Sequence, residues 1–327
     1  MIFFLILCTS YFFSLGRAAD CGGKIIVYNI TVAQHGKGDF KTVQAAIDSI
    51  RSNNNQWVKI HIKPGLYIEK VHIPREKPCI ILEGAGSPTT LISYGDFQKT
   101  GLSATFTSSP PNVIVSGITF KNSHNLGHEW TKRKVLPAVA ARVYGEKSFF
   151  FKCSFLGVQD TLFDVMGRHY FKDCYIQGAI DFIFGAGQSF YESCVINATG
   201  RGTLTGFVTA QSRNSASDTG GFIFKGGSLI GTGKVNLGRP WGPYSRVIFY
   251  GTYFSSIITP NGWNAWNVVG QENKLTYGEV GCTGPGADTS KRVPWEKKLN
   301  PLQMEGEFSL ASFINKDGWL ENLPTIS

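Results

Sequence analysis

The sequence has few charged residues and few signs of long helices. Asp, Glu, Lys and Arg make up only 17% of the 327 residues, against 42% hydrophobic and 13% aromatic residues. A chain with this much apolar surface can offset the entropy of folding, which excludes an intrinsically disordered protein and a coiled coil. The 38 glycines and 14 prolines favour many short strands over long helices. Because single cores rarely exceed about 250–300 residues, we expect two domains or one elongated domain.

Long apolar runs are absent after the first 19 residues. Residues 1–19 combine an apolar run with a small-residue end, as in a secretory signal peptide, although no Lys or Arg precedes the run. No later stretch is long and apolar enough to span a bilayer. The sequence therefore predicts a signal peptide over residues 1–19 and a soluble, secreted protein over residues 20–327.

A secreted protein can form disulfides and carry glycans. Six cysteines follow residue 19, but their spacing selects no particular pairing. They are Cys21, Cys79, Cys153, Cys174, Cys194 and Cys282. Asn29 and Asn197 each begin an Asn-x-Thr sequon, so both are predicted N-glycosylation sites.

The charge balance is basic. The full sequence has 32 Lys and Arg and 23 Asp and Glu, and loss of Arg17 with the signal peptide lowers the net charge from +9 to +8. Such a charge favours a polyanionic partner. Secretion and the lack of basic runs interleaved with aromatic residues argue against nucleic acid, so an acidic polysaccharide fits better. The alternative is that the charge only maintains solubility.

Several common catalytic motifs are missing. The sequence contains no Gly-x-Ser-x-Gly elbow, no Walker-type phosphate loop and no His-Glu-x-x-His. None of the six histidines has metal-ligand spacing, since His124 and His128 lie in a turn-like segment where surface positions are expected. We therefore expect neither a metal nor a cofactor.

One short helix precedes a long β-rich region. Residues 39–50 carry apolar residues at helical spacing, with Asp39 as a candidate N-cap. From residue 58 to about residue 254 only short apolar runs follow. Residues 255–327 contain three Trp-bearing stretches and are predicted to form long loops and a C-terminal cap over the last coils.

The apolar runs repeat. Six of them place a small residue just before an apolar pair, at intervals of 36, 21, 20, 33 and 24 residues; they begin at Gly117, Cys153, Cys174, Cys194, Gly227 and Gly251. A unit of about 20–24 residues with loop insertions is typical of a solenoid. The sequence thus predicts an all-β, single-domain parallel β-helix, and the alternative is a β-sandwich with chance spacing.

Two aspartates lie one repeat apart. Asp160 and Asp181 are 21 residues apart, each in an apolar run, and would occupy equivalent points on adjacent coils. Parallel strands lie about 4.8 Å apart, so the two carboxylates would interact, and one of their pKa values would rise. Such a pair suits a nucleophile and an acid. The alternative is a ladder of turn aspartates bound to backbone amides.

A third candidate element is the segment around Arg239. Residues 236–242 place Arg239 and Trp241 on either side of a proline. A guanidinium can hold a carboxylate and an indole can stack on a sugar, although a surface turn with a packed Trp would look the same.

The motifs together resemble the plant pectinesterase (pectin methylesterase) family. They follow the family order from Val32 to Leu320 and include residues 38–46, 65–69, 159–162 (Gln-Asp-Thr-Leu), 181–185 (Asp-Phe-Ile-Phe-Gly), 237–241 (Leu-Gly-Arg-Pro-Trp) and 284–287. The resemblance implies a right-handed parallel β-helix and hydrolysis of the methyl esters of pectin, with release of methanol.

The resemblance also implies catalytic roles. Asp181 matches the nucleophile, and Asp160 matches the group that acts first as acid and then as base. Gln159 matches an oxyanion donor, and Arg239 matches the residue that orients Asp181 and keeps it ionised.

Further implications concern binding and location. Trp241 and Phe184 match sugar-subsite residues, Thr105 matches a substrate contact, and Cys174 and Cys194 match a disulfide between coils. The resemblance implies a cofactor-free monomer that is secreted to the cell wall, with methyl-esterified pectin as substrate, inhibitor proteins as further partners, and no role for nucleic acid or membrane.

One position departs from the family pattern. Pro137 replaces the first Gln of the usual Gln-Ala-Val-Ala-Leu-Arg, which matches the other oxyanion donor. Proline has neither a side-chain amide nor a backbone N–H. An alternative function is therefore a pectin-binding wall protein with weak or no esterase activity. A polygalacturonase or pectate lyase is a weaker alternative, since the polygalacturonase motifs are missing.

Overall fold

The computed structural model describes residues 21–97, 99–127, 134–200 and 204–325. The predicted signal peptide and His128 lie outside these residues. No helix in the described ranges is long and apolar enough to cross a membrane.

The described residues form 25 β-strands and three α-helices. In chain order they are β1 (Ile26–Val32), α1 (Val43–Ser49), β2 (Trp57–Ile62), β3 (Gly65–Ile68), β4 (Val71–Ile73), β5 (Ile80–Gly84), β6 (Thr90–Tyr94), β7 (Phe106–Ser108), β8 (Val113–Ser116), β9 (Thr119–Asn122), β10 (Ala141–Val143), β11 (Ser148–Phe151), β12 (Ser154–Leu156), β13 (Leu162–Asp164), β14 (Arg168–Lys172), β15 (Tyr175–Gly178), β16 (Ile180–Gly185), β17 (Gln188–Glu192), β18 (Val195–Thr199), β19 (Thr205–Gln211), β20 (Gly221–Lys225), β21 (Ser228–Thr232), β22 (Lys234–Pro240), β23 (Arg246–Tyr250), β24 (Tyr253–Phe254), β25 (Thr276–Val280), α2 (Pro301–Glu307) and α3 (Leu310–Phe313). Short 3₁₀ segments lie at Thr100–Leu102, Glu272–Lys274 and Leu320–Asn322.

The strands form three parallel sheets that wind around one axis. Sheet A has the order β1-β2-β5-β8-β11-β14-β17-β20-β23-β25, sheet B has β24-β21-β18-β15-β12-β9-β6-β3, and sheet C has β22-β19-β16-β13-β10-β7-β4. From β2 onward, successive strands of the chain fall in different sheets, and each strand pairs with its counterpart one coil away. The predicted all-β, right-handed parallel β-helix is confirmed.

A ladder of aromatic rings shows why the repeat is in register. Phe150, Phe171, Tyr191, Phe224 and Phe249 occupy the same position on five consecutive coils. Their successive ring centroids lie 5.0, 4.6, 4.6 and 4.5 Å apart. Because a one-residue slip would turn these rings out of the core, the apolar pattern fixes the register of sheet A. The core therefore lengthens along the axis, which explains how so long a chain forms a single β-helix.

The corner between sheet A and sheet B also repeats. Lys152, Asp173 and Ser193 have φ of 50°, 53° and 54° at equivalent positions on three coils, and Gly226 and Gly251 follow with φ of 63°. A left-handed residue turns the chain from sheet A into sheet B at each of these corners, and at Gly226 a second one, Gly227, follows it. Glycine adopts this conformation without strain, and polar residues tolerate it at a modest cost.

The helices differ from their predictions in detail. The N-cap of α1 is Thr42, whose side chain accepts a hydrogen bond from the backbone N–H of Ala45, whereas Asp39 accepts one from Thr31. The C-terminal segment covers the outer face of sheet A over its later coils. Apolar residues in and directly after α2 and α3 pack there; they are Met304, Phe308, Phe313 and Ile314, against Tyr170, Phe190, Ile223 and Ile248.

The disulfide lies elsewhere than the family resemblance implies. Cys21 and Cys79 form a disulfide, whereas Cys174 and Cys194 are free and buried, so that prediction is wrong for this structure. Cys174 and Cys194 occupy equivalent positions on neighbouring coils, yet both are thiols. Each thiol donates instead to a carbonyl of the preceding coil, at 3.5 Å from Phe150 and Phe171, respectively.

Candidate active site

A cleft lies on the outer face of sheet C. It encloses a cavity of about 400 Å³. Most of its lining comes from strands of sheet C and their turns, and the rest comes from two loops; the lining residues are Thr100, Gly101, Gln159, Asp160, Phe163, Asp181, Phe184, Ala210, Arg239, Trp241 and Trp266. The structure thus brings six of the predicted site residues together in one concave surface.

Asp160 and Asp181 are neighbours on consecutive coils, as the spacing predicts. Gln159 pairs with Ile180 in a parallel bridge, and the backbone N–H of Asp160 donates to the carbonyl of Ile180 at 3.1 Å. Beyond the aspartates the same register continues, because Leu162 pairs with Ile183. Both aspartates are largely buried, with 9% and 8% of their surfaces exposed. The two carboxyl groups therefore lie on adjacent coils and are both largely shielded from water.

The backbone at both aspartates is unusual for residues other than glycine. Asp160 and Asp181 have φ of 61° and 48°. In addition, the pairing of β16 with β19 shifts register between Ile180 and Ile183, which places an irregularity at Asp181. Such bulges change the direction of a side chain relative to a regular strand, and left-handed residues concentrate at functional sites. Here they direct both carboxylates toward the cleft instead of the core.

The two carboxyl groups differ in their electrostatic surroundings. The pKa of Asp160 is raised to about 7, mainly by burial and then by the charge of Asp181, while the charge of Arg239 only partly opposes these two effects. Burial also raises the pKa of Asp181, but a hydrogen bond and the charge of Arg239 oppose that rise. At weakly acidic pH, Asp160 thus holds its proton while Asp181 is the ionised partner.

Arg239 makes the difference between the two aspartates. Its Nε donates to Oδ1 of Asp181 at 2.8 Å and its Nη2 donates to Oδ2 at 2.5 Å. The ion pair is shielded, since 19% of the Arg239 side chain and 11% of the Asp181 side chain are exposed. A two-point contact of this kind fixes both the charge and the plane of the carboxylate.

Gln159 borders the cleft beside the aspartates. Its side-chain amide makes no hydrogen bond to the described part of the protein, so it is free to donate to a ligand. Its carbonyl accepts a hydrogen bond from the backbone N–H of Ala138 at 3.2 Å. Pro137, directly before Ala138, therefore lies on the neighbouring coil next to Gln159 and adds no donor to the cleft.

Aromatic rings form an apolar wall of the cleft. Phe163 and Phe184 stack with centroids 4.3 Å apart, and the centroid of Trp241 lies 5.8 Å from that of Phe184. Trp241 is 47% exposed, whereas Phe184 is 3% exposed. Trp241 therefore offers most of the face on which a sugar could stack, and Phe184 supports it from below.

The prediction for Thr105 is contradicted. Thr105 is fully buried, and its hydroxyl donates to the carbonyl of Lys121 at 3.0 Å, so it does not reach the cleft. The loop just before it provides that wall instead, through Thr100 and Gly101.

Sequence reasoning missed several lining residues. Phe163 directly follows the motif at residues 159–162 and could have been found from its one-coil spacing to Phe184. Trp266 belongs to a Trp-bearing stretch that was assigned to loops and a cap. Thr100 and Gly101 have no sequence feature that marks them as site residues, because small residues are common in loops of every kind.

The remaining predicted positions lie away from the cleft. Asn29 is exposed on β1, and the amide of Asn197 donates to the hydroxyl of Tyr175 at 2.7 Å, so glycosylation at both stays a prediction. In the described ranges, no group of three or more His, Cys, Asp or Glu residues is placed to hold a metal ion.

Comparison with known proteins identifies the family of the chain. The pectinesterase family model matches residues 29–317. Probable pectinesterase 29 of Arabidopsis thaliana is 48% identical over 300 residues, which cover 90% of this chain and 89% of that protein. Among solved structures, pectin methylesterase from carrot is 31% identical, with a TM-score of 0.84 over 89% of this chain and 94% of its own. A pectin methylesterase in complex with hexasaccharide VII is 25% identical, with a TM-score of 0.77 over 93% and 100% of the two chains. The chain therefore belongs to the pectinesterase family.

Proposed function

We propose that the protein hydrolyses the methyl esters of pectin in the cell wall, with Asp181 as nucleophile and Asp160 as acid and then base. One observation carries the assignment of roles: Arg239 holds Asp181 by two hydrogen bonds, beside an Asp160 whose pKa burial raises to about 7. The pair therefore contains one anion and one acid at the same pH, as a carboxylate-based acyl transfer requires.

In the first step, an oxygen of Asp181 attacks the carbonyl carbon of a galacturonate methyl ester. The carbonyl electrons move onto the oxygen, and the amide of Gln159 donates a hydrogen bond to this oxyanion. As the tetrahedral intermediate collapses, the bond to the methoxy oxygen breaks, and Asp160 gives its proton to that oxygen. Methanol leaves, and the galacturonyl group remains on Asp181 as an anhydride.

In the second step, Asp160 is a carboxylate and acts as base. It takes a proton from a water molecule, whose oxygen attacks the anhydride at the sugar carbonyl. The bond to Asp181 breaks, which regenerates the ionised nucleophile and leaves a free galacturonate carboxyl group. Its proton is released to solvent, and Asp160 keeps the proton from water, so the enzyme returns to its starting state.

This chain lacks the second oxyanion donor that the family pattern provides. Gln159 lines the cleft with a side-chain amide, whereas Pro137 supplies no donor. Loss of one such donor lowers turnover by about 10²–10³-fold in other enzymes. We therefore expect a slow esterase, and the paired aspartates with Arg239 favour this function over a wall-binding protein without catalysis.

The cleft suits an acidic polysaccharide. The exposed Trp241 offers a face for a sugar ring, and the net charge after residue 19, +8, attracts a polyuronate. A related pectin methylesterase has been solved in complex with hexasaccharide VII. Inhibitor proteins as partners, a monomeric state and secretion through a signal peptide remain predictions.

Methanol release tests the function. The purified protein is mixed with highly methylated pectin, and methanol and titratable acid are measured together. Equal amounts of both are expected from the wild-type protein. Binding of pectin without methanol would favour the non-catalytic alternative, and shortening of the pectin chain would indicate a polygalacturonase or lyase.

A further inference from the structure

The guanidinium of Arg239 lies between two aromatic rings. Its central carbon, Cζ, is 4.1 Å from the ring centroid of Phe207 and 4.1 Å from that of Trp266. The edge of the same guanidinium faces Asp181 through Nε and Nη2. Both faces of the cation are therefore covered by rings, while its donors point at the carboxylate.

Three separate parts of the chain build this arrangement. Phe207 lies on β19, Arg239 lies on the next strand of sheet C, and Trp266 comes from the loop that follows β24. The backbone N–H of Asn264 donates to the carbonyl of Gly238 at 3.1 Å, which holds the loop beside the strand of Arg239. Trp266 lines the cavity, whereas Phe207 is half-buried behind Arg239 and does not line it.

Core packing does not explain the position of Trp266. The side chain is 42% exposed, and its backbone has a φ of 46°. A bulky residue in the left-handed region is strained, and such strain persists where surrounding contacts stabilise it. The contact with the Arg239 guanidinium stabilises this conformation.

The physical effect of the two rings follows from how arginine is hydrated. A guanidinium binds water weakly over its faces and stacks readily on aromatic rings. Rings on both faces limit its rotation and exclude water, so that hydrogen bonding is directed along its edge. A carboxylate at that edge then meets a fixed donor pair, which is the preorganisation that catalysis needs.

We propose that Phe207 and Trp266 are positioning residues that clamp Arg239 and thereby hold Asp181 in the orientation and charge state of a nucleophile. The inference rests on the proposed function of Asp181, but it concerns residues that act through Arg239 and not on substrate. Trp266 also borders the cleft, so its replacement would alter substrate contacts as well. Phe207 does not border the cleft, so it separates the two effects.

The test replaces Phe207 by leucine, which keeps apolar bulk and removes the ring. We expect kcat to fall roughly tenfold with little change in KM, because orientation and not substrate contact is lost. Arg239 would stabilise the ionised Asp181 less, so the acidic limb of kcat/KM should move to higher pH by roughly one unit. Phe207→Tyr keeps the ring and should restore both values toward those of the wild-type protein.

A readout without substrate keeps the inference separate from the proposed function. The carboxyl carbon of Asp181 is followed by ¹³C NMR against pH and assigned by its loss in Asp181→Asn. Its titration midpoint should rise in Phe207→Leu and, as a second variant at an exposed position, in Trp266→Leu. This result decides the inference even if no methanol is released from pectin.

Phe149→Leu is the matched control. Phe149 is a half-buried phenylalanine that stacks on Tyr170, with centroids 5.0 Å apart, on sheet A away from the cleft. It should lower the melting temperature without moving the pH limb or the Asp181 midpoint. If Phe207→Leu and Trp266→Leu behave like this control, the clamp is refuted and the esterase function stands unaffected.

Discussion

The guanidinium of Arg239 donates two hydrogen bonds to the carboxylate of Asp181, at 2.8 and 2.5 Å, and none to Asp160 one coil away. Two aspartates at equivalent positions of a repeat would otherwise be nearly interchangeable. The arginine removes this symmetry, since its charge favours the ionised form of both carboxylates but its hydrogen bonds favour that of Asp181 alone.

Replacement of Asp181 by asparagine should abolish the nucleophile while preserving shape. We expect kcat for methanol release to fall by at least about 10³-fold, because an amide does not attack the ester. Asp173→Asn is the control, since Asp173 is an exposed aspartate with nearly the same backbone conformation, φ 53°. Activity of Asp181→Asn equal to that of the control would exclude Asp181 as the nucleophile.

Activity should decline as Asp160 loses its proton. Asp160 must be protonated to convert methoxide into methanol, and burial raises its pKa to about 7. We therefore expect a falling limb of kcat/KM centred near pH 7. The rising limb, which reports ionisation of Asp181, lies at lower pH, since Arg239 favours the charged form of Asp181. A profile of initial rates from pH 4 to pH 9 measures both limbs, and a rate that stays constant up to pH 9 would contradict the role of Asp160.

The same raised pKa predicts a pH-dependent stability. The folded protein keeps the Asp160 proton up to about pH 7, whereas the unfolded chain releases it near pH 4. The stabilising contribution of the protonated group is therefore complete below pH 4 and is lost as the pH rises through 7, by roughly 4 kcal/mol. Asp160→Asn removes this loss, so it should melt at a higher temperature than the wild-type protein at pH 8 and at a similar temperature at pH 4.

Thermal unfolding at several pH values measures this difference. Asp173→Asn again serves as control and should show no pH-dependent difference from the wild-type protein. A stabilisation by Asp160→Asn that is the same at pH 4 and pH 8 would show that the carboxyl group is not held neutral by burial.

Pro137→Gln should increase the rate of the esterase. The substitution restores a side-chain amide on the coil next to Gln159, and one oxyanion donor is worth about 10²–10³-fold in turnover elsewhere. We expect a gain of at least about tenfold in kcat from methanol release. Pro137→Ala restores the backbone N–H without the amide, so a gain that is equal in both variants would assign the effect to the backbone and not to a new donor.

The free thiols provide a test of the disulfide assignment. Cys153, Cys174 and Cys194 are buried, Cys282 is partly buried, and burial raises the pKa of Cys282 to about 11. We expect no fast reaction of the unreduced native protein with a thiol reagent. After unfolding without reductant, the four thiols of the described residues should react. Two reactive thiols would instead indicate a second disulfide, and peptide mapping would show whether it joins Cys174 and Cys194.

Repeat spacing alone was enough to predict the neighbouring aspartates. In a parallel β-helix, each coil stacks in register on the next, so a separation of one repeat in sequence becomes one strand spacing in space. Asp160 and Asp181 therefore had to meet once the apolar pattern selected the register, and the same rule brings Phe163 onto Phe184. The fold class followed from the same pattern.

Contacts that do not follow the repeat required the tertiary structure. Arg239 reaches Asp181 across β19, and no spacing rule predicts how far a long side chain extends along a sheet. Trp266 and the wall at Thr100 and Gly101 come from loops whose paths depend on packing. The burial of Thr105 was likewise hidden, because a hydroxyl can serve substrate or backbone equally well.

The amino-acid sequence by itself determined the β-helix, its register and the adjacency of the two acidic side chains, because apolar periodicity acts coil by coil over the whole chain. The tertiary structure decided which of the two is ionised, which thiols stay free and which rings enclose Arg239. These outcomes depend on burial, on side-chain direction and on loop packing, which are set by the whole molecule and not by any local pattern.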